Sequence, residues 1–401
     1  MTSPAPSTAR ARLVVFGVLL ALLGGVLAVR TFGTSPAAAT PVTQVPPSTT
    51  TTVPNRPIDI AERDVQAFVA KTRGLTFTRP VAVTLLDDTA FKARLLGHDQ
   101  PDQAEVDKAT GELRALGFVP PGFDLVKAVN DAQAADVVGF YDFKSKDLVV
   151  RGGNITPYVK EVMAHELTHA LDDQHFGLDR PNLADSHDEQ SDSFDALTEG
   201  DAVHVQLAYR DAMSPADKAS ADAEDASYGS SQDGAQGVAP ALGDFATYPY
   251  AYGNLFVDEI LKQKGQAALD AAFQNPPVSS AEILTPERYL AHMPGASEEI
   301  SPPQPPQGKQ IIDHGVIGQF GLFVMLRQTM GDTMAGFAAA TWEGDSYIAW
   351  RDGAKTCVEA RFLSESAPTA YPLAVLLKMW VDKQGGGTVD EPGTVLLTTC
   401  R

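Results

Sequence analysis

Apolar positions fall into three successive regimes along the chain. Leu13 to Val29 is an unbroken run of seventeen residues without a polar side chain. Residues 33–56 are rich in Pro, Thr, Ser and Ala, including the run Ser48-Thr49-Thr50-Thr51-Thr52. From Ile58 onward, helical and strand periodicities alternate. Ile58, Ile60, Val65 and Phe68 begin a helical pattern; Val81 to Leu86 reads as a strand and Gln103 to Leu116 as a helix. Val137 to Phe143 and Asp147 to Arg151, joined by Lys144-Ser145-Lys146, read as a β-hairpin. A helix follows, with Thr156 as its N-cap and Pro157 in its first turn. Ser191 to Met213 is a further helix. Ser214 to Gly243 is polar, acidic and rich in Gly, Ser and Ala, and reads as a long mobile loop. Helical character resumes over Tyr250 to Phe273, and again near Val316 to Arg327 after a Pro-rich surface loop at Gly295 to Lys309. No internal repeat is present. The mixture predicts an α+β fold.

Charge gives the first regime a direction. Residues 1–55 hold no Asp or Glu, and their only charged side chains are Arg10, Arg12 and Arg30. At about 1.5 Å per helical residue the apolar run covers roughly 25 Å, and Thr31 and Phe32 extend it toward the thickness of a bilayer core. Two arginines before the run and one after it orient the N-terminus to the cytoplasm. The expected organisation is a cytoplasmic tail at 1–12, a transmembrane signal anchor at 13–32, a stalk at 33–56 and an extracytoplasmic domain at 57–401. The alternative is a secreted protein, released after cleavage at Ala37-Ala38-Ala39. Both readings export the domain. In an oxidising compartment Cys357 and Cys400 form either one disulfide or two buried thiols, and the sequence leaves both open. The formal charge of −20 excludes nucleic acid as a partner, because counterion release needs clustered Lys and Arg.

The chemistry concentrates at His165-Glu166-Leu167-Thr168-His169. A helix turns about 100° per residue, so the two histidines lie one turn apart on one face and can bind a single Zn²⁺. Glu166 falls to the side, within reach of a water at the metal rather than of the metal itself. Val159, Met163, Ala164, Leu167, Ala170 and Leu171 occupy the opposite arc, giving this helix a core-facing back. A chance match to this motif is expected in roughly one such sequence in a hundred. Catalytic zinc normally takes three protein ligands, so one must come from elsewhere. Glu199, in Leu197-Thr198-Glu199-Gly200-Asp201, shares a helical stripe with Asp192, Asp195, Val203 and Gln206. His175 and His204 are the rival ligands. Asp201 falls on the other side of that helix from Glu199.

These residues resemble the gluzincins, the thermolysin-like and aminopeptidase-like class of zinc peptidases, and more loosely uncharacterised bacterial gluzincin-like envelope proteins. The resemblance rests on the His165–His169 motif with Glu199-Gly200, and spans roughly Val137 to Phe273. It implies a zincin-like fold, with a small β-sheet above the metal helix and a mostly helical lower half. It also implies zinc held by His165, His169 and Glu199, with Glu166 as general base. Tyr250-Ala251-Tyr252-Gly253 matches a Tyr-x-x-Gly segment that supplies a phenol to the tetrahedral intermediate in gluzincin aminopeptidases. Tyr250 takes that place, with an aromatic loop anchor as its bland reading and His314 as an alternative donor. The Gly-x-Met-Glu-Asn segment that holds a free amino terminus is absent, which points to an endopeptidase rather than an aminopeptidase. The expected activity is hydrolysis of extracytoplasmic polypeptides, with Leu148-Val149-Val150 as the edge strand pairing with substrate. The competing expectation is a non-catalytic envelope binding or assembly module that retains the zinc-binding fold.

Overall fold

Capping decides where several helices begin. The computed structural model describes residues 57–96, 102–143, 145–180, 183, 189–229, 239–292, 300–364, 373–390 and 394–401. The expected tail, anchor and stalk lie outside the described residues. No helix among the described residues is long and apolar enough to cross a membrane.

The fold is α+β. Helix α1 (Pro57–Arg73) leads into β1 (Ala82–Leu86), α2 (Asp88–Leu96), α3 (Gln103–Ala115) and α4 (Leu125–Asp136). Strands β2 (Gly139–Asp142) and β3 (Asp147–Arg151) form the expected hairpin. Next come α5 (Pro157–Phe176), α6 (Gln190–Ala212), α7 (Pro215–Gly229), α8 (Pro240–Lys264) and α9 (Gln266–Gln274). Two short helices, α10 (Ser280–Leu284) and α11 (Pro286–Leu290), precede β4 (Ile311–Gly315), α12 (Gly318–Met330) and α13 (Asp332–Ala339). The chain closes with β5 (Trp342–Asp352), β6 (Lys355–Ser364), α14 (Leu373–Gln384), β7 (Gly387–Asp390) and β8 (Val395–Cys400).

The described residues form two sheets. The first has the order β1-β3-β2, with β1 parallel and β2 antiparallel to β3. The second, β4-β5-β6-β8-β7, is antiparallel throughout, and Cys357 on β6 is bonded to Cys400 on β8. One continuous apolar core runs from Ile58 on α1 to Leu397 on β8. The parallel pairing corrects the expectation for β3. Leu148-Val149-Val150 is the central strand, hydrogen-bonded on both sides, so it has no edge to offer a peptide. The edge beside α5 belongs to β2.

The expected loop at Ser214 to Gly243 is also corrected. Ser214 caps α7, its Oγ accepting from the Asp217 N–H at 3.1 Å, with Pro215 in the first turn. Alanine-rich sequence then sustains the helix, and Ala221 is fully buried. Residues 230–238 lie outside the described residues. Helix α8 starts earlier than its apolar pattern suggests, at Pro240, and runs through Pro249. Gly265, with φ of 74°, ends it and starts α9.

Helices α6 and α8 meet backbone to backbone. A Cβ on Gly253 would lie 1.9 Å from the Ala196 carbonyl oxygen, and one on Gly200 would lie 2.2 Å from the Gly253 carbonyl carbon. Further along, His204 Nδ1 meets Asp258 Oδ1 at 2.7 Å, so the two helices run in the same direction. Gly253→Ala is therefore expected to lower the unfolding free energy by about 1–3 kcal/mol or more, as overpacking does. Gly243→Ala, on the same helix but facing open space, is the control and should not destabilise. Equal denaturant midpoints for the two variants would refute the close crossing.

Candidate metal centre

Helix α5 carries the candidate site on one face and core residues on the other. Thr156 Oγ1 accepts from the Val159 N–H, Pro157 sits in the first turn, and Gly177 closes the far end with φ of 64°. Val159, Met163, Ala164, Leu167, Ala170 and Leu171 are buried in the main core. His165 and His169 project together, with their rings edge to face and centroids 4.8 Å apart.

Glu199 joins them from α6. Its Oε2 lies 3.1 Å from His165 Nε2 and 3.4 Å from His169 Nε2, and the two Nε2 atoms are 3.1 Å apart. Ligands about 2.05 Å from a tetrahedral Zn²⁺ would stand about 3.3 Å from one another. All three side chains are buried, and this His-His-Glu group could hold a metal ion. Burial works against the Glu199 charge, but His169 and His165 outweigh it and hold the carboxyl down at about 2. The carboxyl therefore favours the ionised form that holding a cation would require.

The proton on His165 can be placed by elimination. Glu161, paired with Arg210 at 2.8 Å, can only accept, so the Gln206 amide nitrogen faces it at 3.1 Å. The Gln206 carbonyl oxygen then faces His165 Nδ1 at 3.0 Å, which makes that nitrogen the donor. In the neutral ring, His165 Nε2 is then left with a lone pair aimed at Glu199 and His169. Three Lewis bases packed this closely repel unless a proton or cation lies among them. That is the observation by which the residues fit a metal. His169 Nδ1 makes no hydrogen bond, so the polar contacts of that ring are those of its Nε2 with His165 and Glu199.

Glu166 stands beside the three ligands at the edge of β2. Val138 O accepts from the Arg151 N–H, so Val138, Phe140 and Asp142 share the parity that faces β3. Gly139 and Tyr141 present their backbone groups to the free edge. There the Tyr141 N–H donates to Glu166 Oε2 at 2.8 Å. Gly139 lets α5 approach, since a Cβ there would meet Val162 Cγ1 at 2.9 Å. Burial, with Glu199 adding to it against His165 and the Tyr141 N–H, pushes the Glu166 carboxyl up to about 7.

Tyr250 comes from α8, its half-buried ring stacked on His165 with centroids 6.2 Å apart. Burial, then Glu199, Glu166 and Asp195, raises its phenol well above the ordinary value, so it stays a donor. The rival residues are elsewhere. His175 Nε2 meets the Thr76 carbonyl at 2.8 Å, His204 pairs with Asp258, and His314 is exposed on β4 of the other sheet. Asp201 points away from Glu199, as the helical wheel requires, and pairs with Arg73. Sequence reasoning put Gln206 and Asp195 on the Glu199 stripe without giving them roles. Gln206 orients His165, and Asp195 is pushed up to about 8 by burial and by Glu199. Arg73 carried no signal at all.

Comparison with protein-family models, curated proteins and solved structures finds no match.

The raised Glu166 carboxyl has a stability consequence for the metal-free protein. Its folded-state pKa exceeds the unfolded one, so its penalty is absent below about pH 4.5 and fully present above about pH 7. Glu166→Gln, which keeps an acceptor for Tyr141, should stabilise the metal-free protein by about 1–3 kcal/mol at pH 8. The gain should vanish at pH 4. Chemical denaturation at both pH values, in chelator, measures it; a pH-independent difference would refute the burial argument.

Proposed function

We propose that the chain is a zincin-like, gluzincin-type zinc metallopeptidase acting on polypeptides. The observation that carries this reading is the convergence of His165, His169 and Glu199 with Glu166 beside them, a donor set of two imidazoles and one carboxylate suited to Zn²⁺. Zinc held there would supply Lewis-acid polarisation of a carbonyl and a lowered pKa for water.

The chain's own residues do the remaining work. Glu166, with Oε2 held by Tyr141, has Oε1 to take a proton from the attacking water as the new C–O bond forms. It returns that proton to the amide nitrogen as the C–N bond breaks. Tyr250 donates its hydroxyl hydrogen to the carbonyl oxygen as negative charge builds there. The free edge of β2, at Gly139 and Tyr141, takes the role first given to β3 and aligns an extended peptide across the site. With a membrane anchor at 13–32, or a cleaved signal peptide in its place, the substrate would be extracytoplasmic. Endopeptidase action fits the missing amino-terminal recognition segment.

The full chain should bind one Zn²⁺, and His165→Ala with His169→Ala should abolish binding. Glu166→Gln should keep the zinc and lose about 10²–10⁴ in kcat on a peptide library. A wild-type protein that binds zinc yet cleaves nothing, with Glu166→Gln indistinguishable from it, would replace this reading with a metal-retaining binding module.

Tyr250 is tested separately. Its bond to the oxyanion strengthens only in the transition state, so Tyr250→Phe should lower kcat by about 10²–10³ with KM and zinc content nearly unchanged. Tyr252→Phe is the control, since Tyr252 packs against Phe320 and Tyr248 instead. A loss in the control alone would show that the wrong tyrosine had been chosen.

A further inference from the structure

We infer that Arg73 is a positioning residue for the metal centre: its buried guanidinium ties the helix carrying His165 and His169 to the helix carrying Glu199. This inference rests on the metal-centre reading above and names what sets its affinity. Arg73 is the last residue of α1 and is 1 % exposed. Its Nη2 lies 3.0 Å from Asp172 Oδ1, its Nε 2.7 Å from Asp201 Oδ2, and its Nη1 3.2 Å from Asp270 Oδ1. Asp172 is on α5, just beyond His169, and Asp201 is on α6, just beyond Glu199. Both carboxylates are fully buried.

One cation thus sits between two buried carboxyl groups, each on a different ligand-bearing helix. Burial and Asp201 hold the Asp172 carboxyl above the ordinary carboxylate range against the pull of Arg73, and the guanidinium, in contact with both carboxyl groups, bridges the two helices at this point. Burial also opposes the charge on Arg73, but Asp172, Asp201 and Asp270 outweigh it and keep the guanidinium protonated. A planar fork reaches both carboxylates at once, which a lysine ammonium does not do as well. The Phe273 ring, 5.8 Å from Cζ, closes the remaining side.

The tie matters because Glu199 is the only ligand on α6. A sliding of α6 against α5 by a few tenths of an ångström changes both of its distances to the histidines. The bonds from Glu161 to Gln206 and Arg210 join the same two helices nearer the start of α5, and Arg73 joins them on the far side of α6 from the ligand. Asp270, on α9 and partly exposed, belongs to neither helix. It contributes charge to the cluster without tying the ligands.

The test uses the full chain, with Zn²⁺ affinity measured by chelator competition and coordination read from the ligand-field spectrum of the Co²⁺ form. Removing Arg73 alone would strand two buried carboxyl groups, so the principal variant is the triple Arg73→Met, Asp172→Asn and Asp201→Asn, which replaces all three with uncharged side chains. The triple variant should weaken Zn²⁺ binding by about 10- to 100-fold and alter the Co²⁺ spectrum, as loss of outer support for ligands does. Arg73→Lys should restore part of the affinity, and Asp270→Asn should match wild type in both readouts. A folded triple variant with wild-type affinity and spectrum would overturn the inference, as would an equal loss in Asp270→Asn. If the triple does not fold, Arg73→Lys decides: wild-type affinity and spectrum overturn the positioning role, and a weaker, spectrally altered site supports it. A wild-type chain that binds no Zn²⁺ would overturn the metal reading and this inference together.

Discussion

The contact of Gly200 with Gly253 constrains everything around it. Only two residues without side chains allow α6 and α8 to approach this closely, and that approach brings a residue of α8 over the metal ligands. Glu199 precedes one glycine and Tyr250 stands three residues before the other. The glycines in Glu199-Gly200 and in Tyr250-x-x-Gly253 are thus two halves of one helix crossing. Motifs that look independent in the sequence are coupled by packing. The stacking of Tyr250 on His165 then links α8 to α5, and the three helices close around the site.

Around that crossing the protein buries an unusual amount of polar chemistry, and most of it is bonded. Glu161, Gln206 and Arg210 orient His165. Tyr141 on β2 holds Glu166, and Asp173 accepts from the Tyr141 hydroxyl at 2.9 Å and from Lys146 at 2.8 Å. An unpaired buried charge would cost several kcal/mol, so these partners decide which ionisation states the site can hold. Glu166 and Asp195 are both pushed up by burial beside Glu199. Both lie beside the His165–His169–Glu199 group, whereas behind it Arg73 forms ion pairs with Asp172, Asp201 and Asp270.

The sequence made the site more legible than the fold. A capped helix with two histidines one turn apart is a local pattern, and local patterns survive folding unchanged. Glu199 was found through helical periodicity for the same reason. The β2–β3 hairpin was visible, but the parallel partner β1 was not, because that pairing joins strands separated by a helix-rich segment. Missing it put β3 at an edge. Helix α7 was hidden by its own composition: Ser, Asp and Ala read as a loop, while Ser214 and Pro215 were a start signal that outweighed it. Arg73 had no local signature, since its meaning arises only when α1 meets α5, with Asp172 ninety-nine residues away in the chain.

The parallel course of α6 and α8 bears on how the protein comes into being. Parallel neighbours cannot be joined by a tight turn, so α7 must carry the chain back before α8 can dock. During synthesis the two histidines and Glu199 therefore emerge well before the glycine contact that brings Tyr250 over them. Non-local closure of this kind is slow compared with helix formation. A nascent chain passes through a stage in which His165, His169 and Glu199 are present and the Tyr250 ring that stacks on His165 is not. Under the proposed function, hydrolytic competence would arrive only with α8, after the segments that precede it have emerged.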